Sequence, residues 1–212
     1  MILNPYYRFW ILLLVILAVS SPVWADETNT ELSNARHVFL QAVDGDKRAV
    51  RDAISRFKSL SHSHPDDPVY LAYLGASITL KGRDAANGIN KQRYTEEGLQ
   101  VIDQALKQLA AANDLPSTSR LDTMLVAVNS FIRIPAFFNR YDRGRRLLDE
   151  ILAHEDFDAM AARFKAAAYV AAALVARGNG DDEEYRRYLK LVVDTDPDGR
   201  DGRFASTMLA EP

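Results

Sequence analysis

Two histidines, His62 and His64, lie beside Asp66 and Asp67 in a short polar segment. Imidazole and carboxylate groups are common ligands for zinc and other transition metals. A hydrolytic zinc site on a helix spaces its histidines one turn apart, whereas a single residue separates these two. Pro65 lies within the segment and Pro68 follows it, so an exposed turn accounts for the segment without a metal. A weak metal site that uses His62 and His64 is the alternative.

A second acidic segment, residues 194–199, has the alternating aspartates that open a calcium-binding loop. The twelfth residue of such a loop is a glutamate that binds calcium through both carboxylate oxygens. The corresponding residue here is Ala205, and Pro197 favours a turn after a helix. We therefore expect a turn at this position rather than a calcium site.

The most unusual stretch, residues 131–146, mixes aromatic side chains with five arginines. Arginine and aromatic residues are enriched among those that dominate binding energy at protein interfaces. The alternative is that the aromatic side chains fill the core while the arginines are solvated. The residues that we predict to contact a partner are Phe137, Phe138, Arg140, Tyr141, Arg143, Arg145 and Arg146.

No set of residues in the sequence predicts catalysis. His37 and His154 are isolated, no serine or threonine has an evident base partner, and the chain has no cysteine. We therefore predict a protein that is not an enzyme, with no catalytic residues, no cofactor and no metal. Its formal net charge of −3 also argues against nucleic acid as a partner.

The N-terminus has the pattern of a secretory signal. Arg8 precedes an apolar run over residues 9–19, and small side chains at Val23 and Ala25 precede the charged Asp26. A basic start, an apolar middle and small residues before a cleavage site define such signals. The pattern predicts cleavage between Ala25 and Asp26.

The alternative for this N-terminal segment is a retained membrane anchor. A helix needs about 20 apolar residues to cross the bilayer core, and this run is shorter. We predict a signal peptide over residues 1–25 and a single helical-repeat domain over residues 26–212. The protein is then exported, to the periplasm if its source is a Gram-negative bacterium and otherwise to the medium. It would contact a membrane only through an uncleaved N-terminal segment.

Apolar residues recur at helical spacing almost throughout residues 26–212, and no alternating strand pattern occurs. Capping pairs predict helix starts at residues 28–31 and 119–122. Asp67 followed by proline predicts another start, because proline fits the first helical turn. A longer connection between helices is expected over residues 81–90, which contain two glycines.

Two helices stand out by their pattern. Residues 120–134 are apolar on almost every side, which predicts a central helix, and a last short helix is expected over residues 200–210. Tight turns at residues 44–46 and 178–180 join neighbouring helices into pairs. The pattern predicts an all-α fold, an α-solenoid of about four antiparallel hairpins that follows the signal-peptide helix.

Residues 71–78 resemble the first helix of a tetratricopeptide repeat, with Leu71, the large–small pair Leu74-Gly75, and Ile78. The preceding residues 65–68 resemble the turn between repeats. Residues 178–189, with the later Asp196-Pro197, are similar to the second half of another repeat.

This resemblance implies stacked helical hairpins with an extended surface for peptides or proteins. We therefore expect a non-catalytic protein-binding or scaffolding module, with a protein partner in the cell envelope. The alternative is a metal-dependent enzyme or metal-binding protein that uses the turn with His62 and His64.

Overall fold

The computed structural model describes the backbone of residues 23–210 and the side chains of residues 30–210. This part of the chain is all-helical, with nine α-helices, one short 3-10 helix and no strand, as the sequence predicts. The helices are α1 (Val23–Val43), α2 (Lys47–Ser63), α3 (Pro68–Asp84), α4 (Gly88–Ala111), α5 (Ser117–Phe131), a 3-10 helix (Ala136–Phe138), α6 (Tyr141–Leu152), α7 (Ala162–Gly178), α8 (Asp182–Thr195) and α9 (Arg200–Ala210).

The first helix begins earlier than the sequence predicts. The expected start at residues 28–31 is wrong, because α1 is already helical from Val23. Residues 1–22, which make up most of the predicted signal segment, lie outside the part of the chain that the structure describes. Ala25 and Asp26, on either side of the predicted cleavage position, are described only as backbone within α1.

Aspartates cap α2 and α3. The Asp46 carboxylate accepts from the backbone N–H of Arg48 at 2.7 Å, and that of Asp67 accepts from Val69 at 3.0 Å. These bonds satisfy N–H groups that have no partner inside the helix. The predicted start of α3 at Asp67 and Pro68 is therefore confirmed.

The long connection predicted over residues 81–90 is wrong, because only three residues separate α3 from α4. The two glycines that suggested a break have other roles. A Cβ at Gly82 would lie 2.6 Å from the Thr95 hydroxyl oxygen of α4, so this glycine permits close helix packing. Gly88 is the first residue of α4.

The predicted start of α5 is also wrong, although its central position is confirmed. The helix begins at Ser117 and has no side-chain cap. Ser119 and Asp122, the expected capping pair, instead contact residues of other helices. Eight side chains of α5 are buried, namely Leu121, Thr123, Met124, Leu125, Val126, Ala127, Val128 and Phe131.

Consecutive helices pack against each other, and each odd-numbered helix also packs against the next odd-numbered one. The contacts run from α1 to α3, α5, α7 and α9. This order is consistent with a helical repeat, because each helix pair then stacks on its neighbours. Among residues 23–210, no helix has the length and apolar character needed to cross a membrane.

The core has two main parts. The larger surrounds α5, where Leu121 and Phe131 are fully buried, and extends to α4, α6 and α7. The other joins α1, α2 and α3 through aromatic rings. Phe57 stacks on Tyr73 with ring centroids 4.8 Å apart, and Phe39 meets Tyr73 edge-on at 5.2 Å.

Candidate partner-binding surface

A short segment between α5 and α6 carries the first of the predicted contact residues. Pro135 precedes the 3-10 helix Ala136–Phe138, and Asn139 follows it with φ = 55°. Asparagine is one of the few residues with a side chain that adopts this left-handed conformation readily. The chain therefore changes direction at Asn139 and enters α6.

Phe137 projects from this segment with 70 % of its surface exposed. Its ring lies 4.2 Å from that of Phe138, centroid to centroid, and Phe138 packs partly against the core. One aromatic ring therefore anchors the segment while its neighbour faces solvent. Aromatic residues are enriched at protein interfaces, so the exposed ring of Phe137 is a candidate contact residue.

Two of the predicted arginines hold the segment in place. The Arg140 Nη2 atom donates to Asp103 Oδ2 of α4 at 2.8 Å, and Arg143 Nη1 pairs with the other oxygen of the same carboxylate. The guanidinium of Arg143 also lies 5.6 Å from the centroid of the Phe131 ring. These two arginines therefore connect the start of α6 to α4 and α5.

The remaining predicted residues divide into packed and exposed side chains. The Tyr141 hydroxyl is buried without a hydrogen-bond partner among the described residues, and a Cβ at Gly178 would lie 2.9 Å from it. Arg145 and Arg146 are exposed. Of the seven predicted contact residues, Phe137, Arg145 and Arg146 are therefore exposed, and the other four are partly buried.

The histidine turn does not assemble a metal site in the structure. The His62 Nδ1 atom lies 2.6 Å from the carbonyl oxygen of Lys58, while the His64 ring stacks on Tyr70 at 4.9 Å. Among the side chains of residues 30–210, no three histidine or acidic groups are placed so that they could hold a metal ion.

Residues 196–199 of the acidic segment form the expected turn, and residues 194–195 are the end of α8. The backbone N–H of Asp196 donates to Val192 and ends α8, and that of Gly199 donates to the Asp196 carbonyl at 3.1 Å. The next helix starts at Arg200.

Sequence reasoning missed an ionic cluster that links α1, α3 and α5. Arg36 pairs with Asp122, and the Tyr73 hydroxyl donates to the same carboxylate at 3.2 Å. Burial raises the pKa of the Asp122 carboxyl, although Arg36 and the Tyr73 hydroxyl bond oppose this rise. Burial and the neighbouring Asp122 also raise the pKa of Tyr73.

The contacts of this cluster join helices that are distant in the sequence. Arg36 lies 5.5 Å from the centroid of the Tyr73 ring, so the cation contacts both its ion-pair partner and an aromatic face. The side chains of Arg36 and Asp122 keep 27 % and 13 % of their surface exposed. One carboxylate thereby joins three successive odd-numbered helices.

A small cleft between α6, α7 and the start of α8 was also not predicted. Its volume is about 150 Å³, and its walls combine aliphatic side chains with carboxylates. No local sequence pattern marks it, because its residues come from three helices and one turn.

The chain matches no family model, no curated protein and no solved structure with which it was compared. The interpretation as a helical repeat therefore depends on the packing order of the helices.

Proposed function

We propose that this chain is a non-catalytic binding protein of the cell envelope. In this proposal, it is a tetratricopeptide-like stack of helical hairpins that holds a protein partner at the surface around Phe137. The packing order from α1 through α3, α5 and α7 to α9 supports the stacked arrangement. Such stacks use their extended surfaces for binding peptides and proteins.

The exposed ring of Phe137 is the observation that carries the proposal. It is 70 % exposed, and its segment is fixed by Phe138 and by the Asp103 ion pairs of Arg140 and Arg143. A side chain that is already held in place loses less conformational freedom on binding, which favours affinity.

The proposed location depends on the N-terminal pattern of the sequence. Cell fractionation followed by N-terminal sequencing tests it. We expect the mature chain in the envelope fraction to begin at Asp26. A mature chain that still starts at Met1 would contradict cleavage and support the anchor alternative.

The proposed binding surface is tested by affinity capture from envelope extracts with quantitative mass spectrometry. Phe137→Ser is compared with Ile89→Ser, because Ile89 is the matched control: an apolar residue that is 81 % exposed at the start of α4. We expect the Phe137 variant to lose a partner that the wild-type chain and the Ile89 variant retain. Equal recovery by all three chains would contradict the proposed surface.

A further inference from the structure

The first and last helices of the stack are joined by an ion pair. Arg200, the first residue of α9, donates to the Asp44 carboxylate in the turn after α1, and its Nη2 and Nε atoms lie 2.5 Å and 3.2 Å from the same oxygen. The two residues are 156 positions apart in the chain. In a stack where each helix pair contacts only its neighbours, the two ends stay apart. The ion pair therefore closes this stack.

Neighbouring charged groups hold both partners of this ion pair in place. The Arg83 guanidinium of α3 donates to the last two carbonyl oxygens of α1 at 2.9 Å and 3.0 Å, which fixes the helix end that precedes Asp44. On the other side, Asp201 pairs with Arg200 at 3.4 Å. Burial raises the pKa of Asp201, and Arg200 and Arg133 oppose this rise. The start of α9 therefore lies close to the end of α5 as well as to Asp44.

Apolar packing does not join α1 to α9. Leu40 lies one turn before Asp44, whose backbone N–H donates to the Leu40 carbonyl, and Phe204 lies one turn after Arg200. Both apolar side chains are 42 % exposed, and among the described helices α1 and α9 do not pack along their lengths. The side chains of Asp44 and Arg200 are themselves 57 % and 45 % exposed. Exposed ion pairs are weak and are screened by salt, so the contact between the ends is weak too.

The last three helices form one unit. They share a core of small and aliphatic side chains, namely Ala166, Val170 and Ala173 of α7, Leu189 and Val192 of α8, and Ala205 of α9. A Cβ at Gly202 would lie 2.0 Å from the Asp196 carbonyl oxygen, so the start of α9 is in direct contact with the end of α8. Because of these contacts, α9 can move away from α1 only together with α7 and α8.

The junction between α6 and α7 is the place where this unit can turn. Residues 153–161, which connect the two helices, are not helical. The cleft of about 150 Å³ lies on this junction, between α6 on one side and α7 and α8 on the other. Side chains that line unfilled space have fewer packing contacts to lose when helices shift. A small rotation here would change the distance between α1 and α9 most, since they are at opposite ends of the stack.

We propose that the Asp44–Arg200 pair is a latch that holds the stack closed. When the latch is released, the unit of α7, α8 and α9 turns about the α6–α7 junction and widens the gap between α1 and α9. The stack then exchanges between a closed and an open form, and salt shifts the ratio towards the open form. This inference goes beyond the proposed function, because it concerns the shape of the stack and needs no partner.

The experiment measures the distance across the gap in the full chain. The chain has no cysteine, so two spin labels can be attached without removing a native thiol. Ser55→Cys on α2 and Ser206→Cys on α9 place the labels at exposed positions on either side of the gap. Pulsed electron paramagnetic resonance gives the distribution of distances. We expect a main population at short distance, and a longer population that grows as the ionic strength rises from about 0.05 M to about 0.5 M.

Variants test whether the ion pair is the cause. Arg200→Gln should raise the ratio of long to short distances about twofold to fivefold at low salt, as expected for the loss of an exposed pair. The charge-exchanged double variant, Asp44→Arg with Arg200→Asp, should restore the short distance. Arg187→Gln is the matched control, because it removes an exposed ion pair with Glu184 inside the moving unit. Circular dichroism checks that each variant keeps its helical content.

Three results would each overturn the inference. The first is an unchanged distance distribution in Arg200→Gln at both salt concentrations. The second is a charge-exchanged variant that stays as open as Arg200→Gln, and the third is a control variant that opens the stack to the same extent. The salt dependence of the chain with Asp44 and Arg200 intact tests the latch even where a variant is less stable.

Discussion

The α3–α4 pair and the α5–α6 pair both pack closely at glycine, but different atoms make the contact. A Cβ at Gly75 would lie 2.7 Å from the Gly98 carbonyl oxygen, and one at Gly98 would lie 2.6 Å from the Gly75 oxygen. In the α5–α6 pair, a Cβ at Gly144 would lie 2.9 Å from the Ile132 Cγ2 methyl group and 3.1 Å from the Phe131 Cβ. The first pair is therefore in contact backbone to backbone, whereas the second is in contact through side-chain atoms.

The connections within these two helix pairs also differ. Three residues join α3 to α4, whereas the longer segment between α5 and α6 includes the 3-10 helix and the exposed Phe137. Ion pairs to Asp103 hold this second connection at the surface. From this comparison we expect the first pair to contribute more to stability, and we propose the second pair as the binding region.

The largest effect is expected from Gly98→Val. Its side chain would displace the Gly75 backbone, so the free energy of unfolding should fall by more than about 3 kcal/mol. Urea denaturation followed by circular dichroism measures this change. Gly88→Ala is the control, since a Cβ there meets nothing within 4 Å. Gly144→Ala should cost less, about 1 kcal/mol, and a loss as large as that of Gly98→Val would break the comparison.

The next effect concerns the ionic cluster beside the first pair. Asp122→Ala leaves Arg36 partly buried without its carboxylate, and we expect a loss of about 2 kcal/mol, below the range for fully buried pairs because Arg36 is 27 % exposed. The double variant Arg36→Met, Asp122→Leu should recover most of this loss. A double variant that is less stable than Asp122→Ala would contradict the account of a desolvated pair.

A smaller effect is expected at the second pair. Asp103→Asn weakens two partly exposed ion pairs, which should cost about 1 kcal/mol or less. Hydrogen exchange should nevertheless accelerate at Phe138 and Asn139, because their N–H groups bond within the segment that Asp103 fixes. Glu97→Gln is the control. Unchanged exchange in the Asp103 variant would show that other contacts hold the segment.

The smallest effect on stability is expected from Phe137→Ser. An exposed side chain contributes little to folding, so the free energy of unfolding should change by no more than about 0.5 kcal/mol. Thermal denaturation of this variant beside Ile89→Ser checks this. A large loss for Phe137→Ser alone would mean that the ring is part of the core rather than a contact residue.

Local patterns in the sequence predicted most of the helices, because helix caps and turn residues act on backbone groups within about one helical turn. Asp67 and Pro68 define the start of α3 through bonds to nearby N–H groups, and the last helix occupies residues 200–210 as expected. The turn at residues 178–180 also forms, with Gly180 at φ = 75°.

Contacts between distant residues could not be predicted in the same way. Ser119 and Asp122 have the spacing of a capping pair, but Asp122 bonds to Tyr73 and Arg36 on other helices. Gly82 suggested a loop because glycine weakens helices, yet close approach of α4 requires a small residue there. For the candidate surface, the mixture of arginine and aromatic residues indicated the segment to examine. The ion pairs with Asp103 and the exposure of Phe137 could be read only from the folded structure.

The most direct test of the central claim is site-specific cross-linking in the cell. A photoreactive amino acid replaces Phe137 in one strain and Ile89 in another, and adducts are identified by mass spectrometry. The account predicts a defined protein adduct from position 137 that position 89 does not give. No adduct from position 137, or the same adducts from both positions, would contradict a partner-binding surface around Phe137.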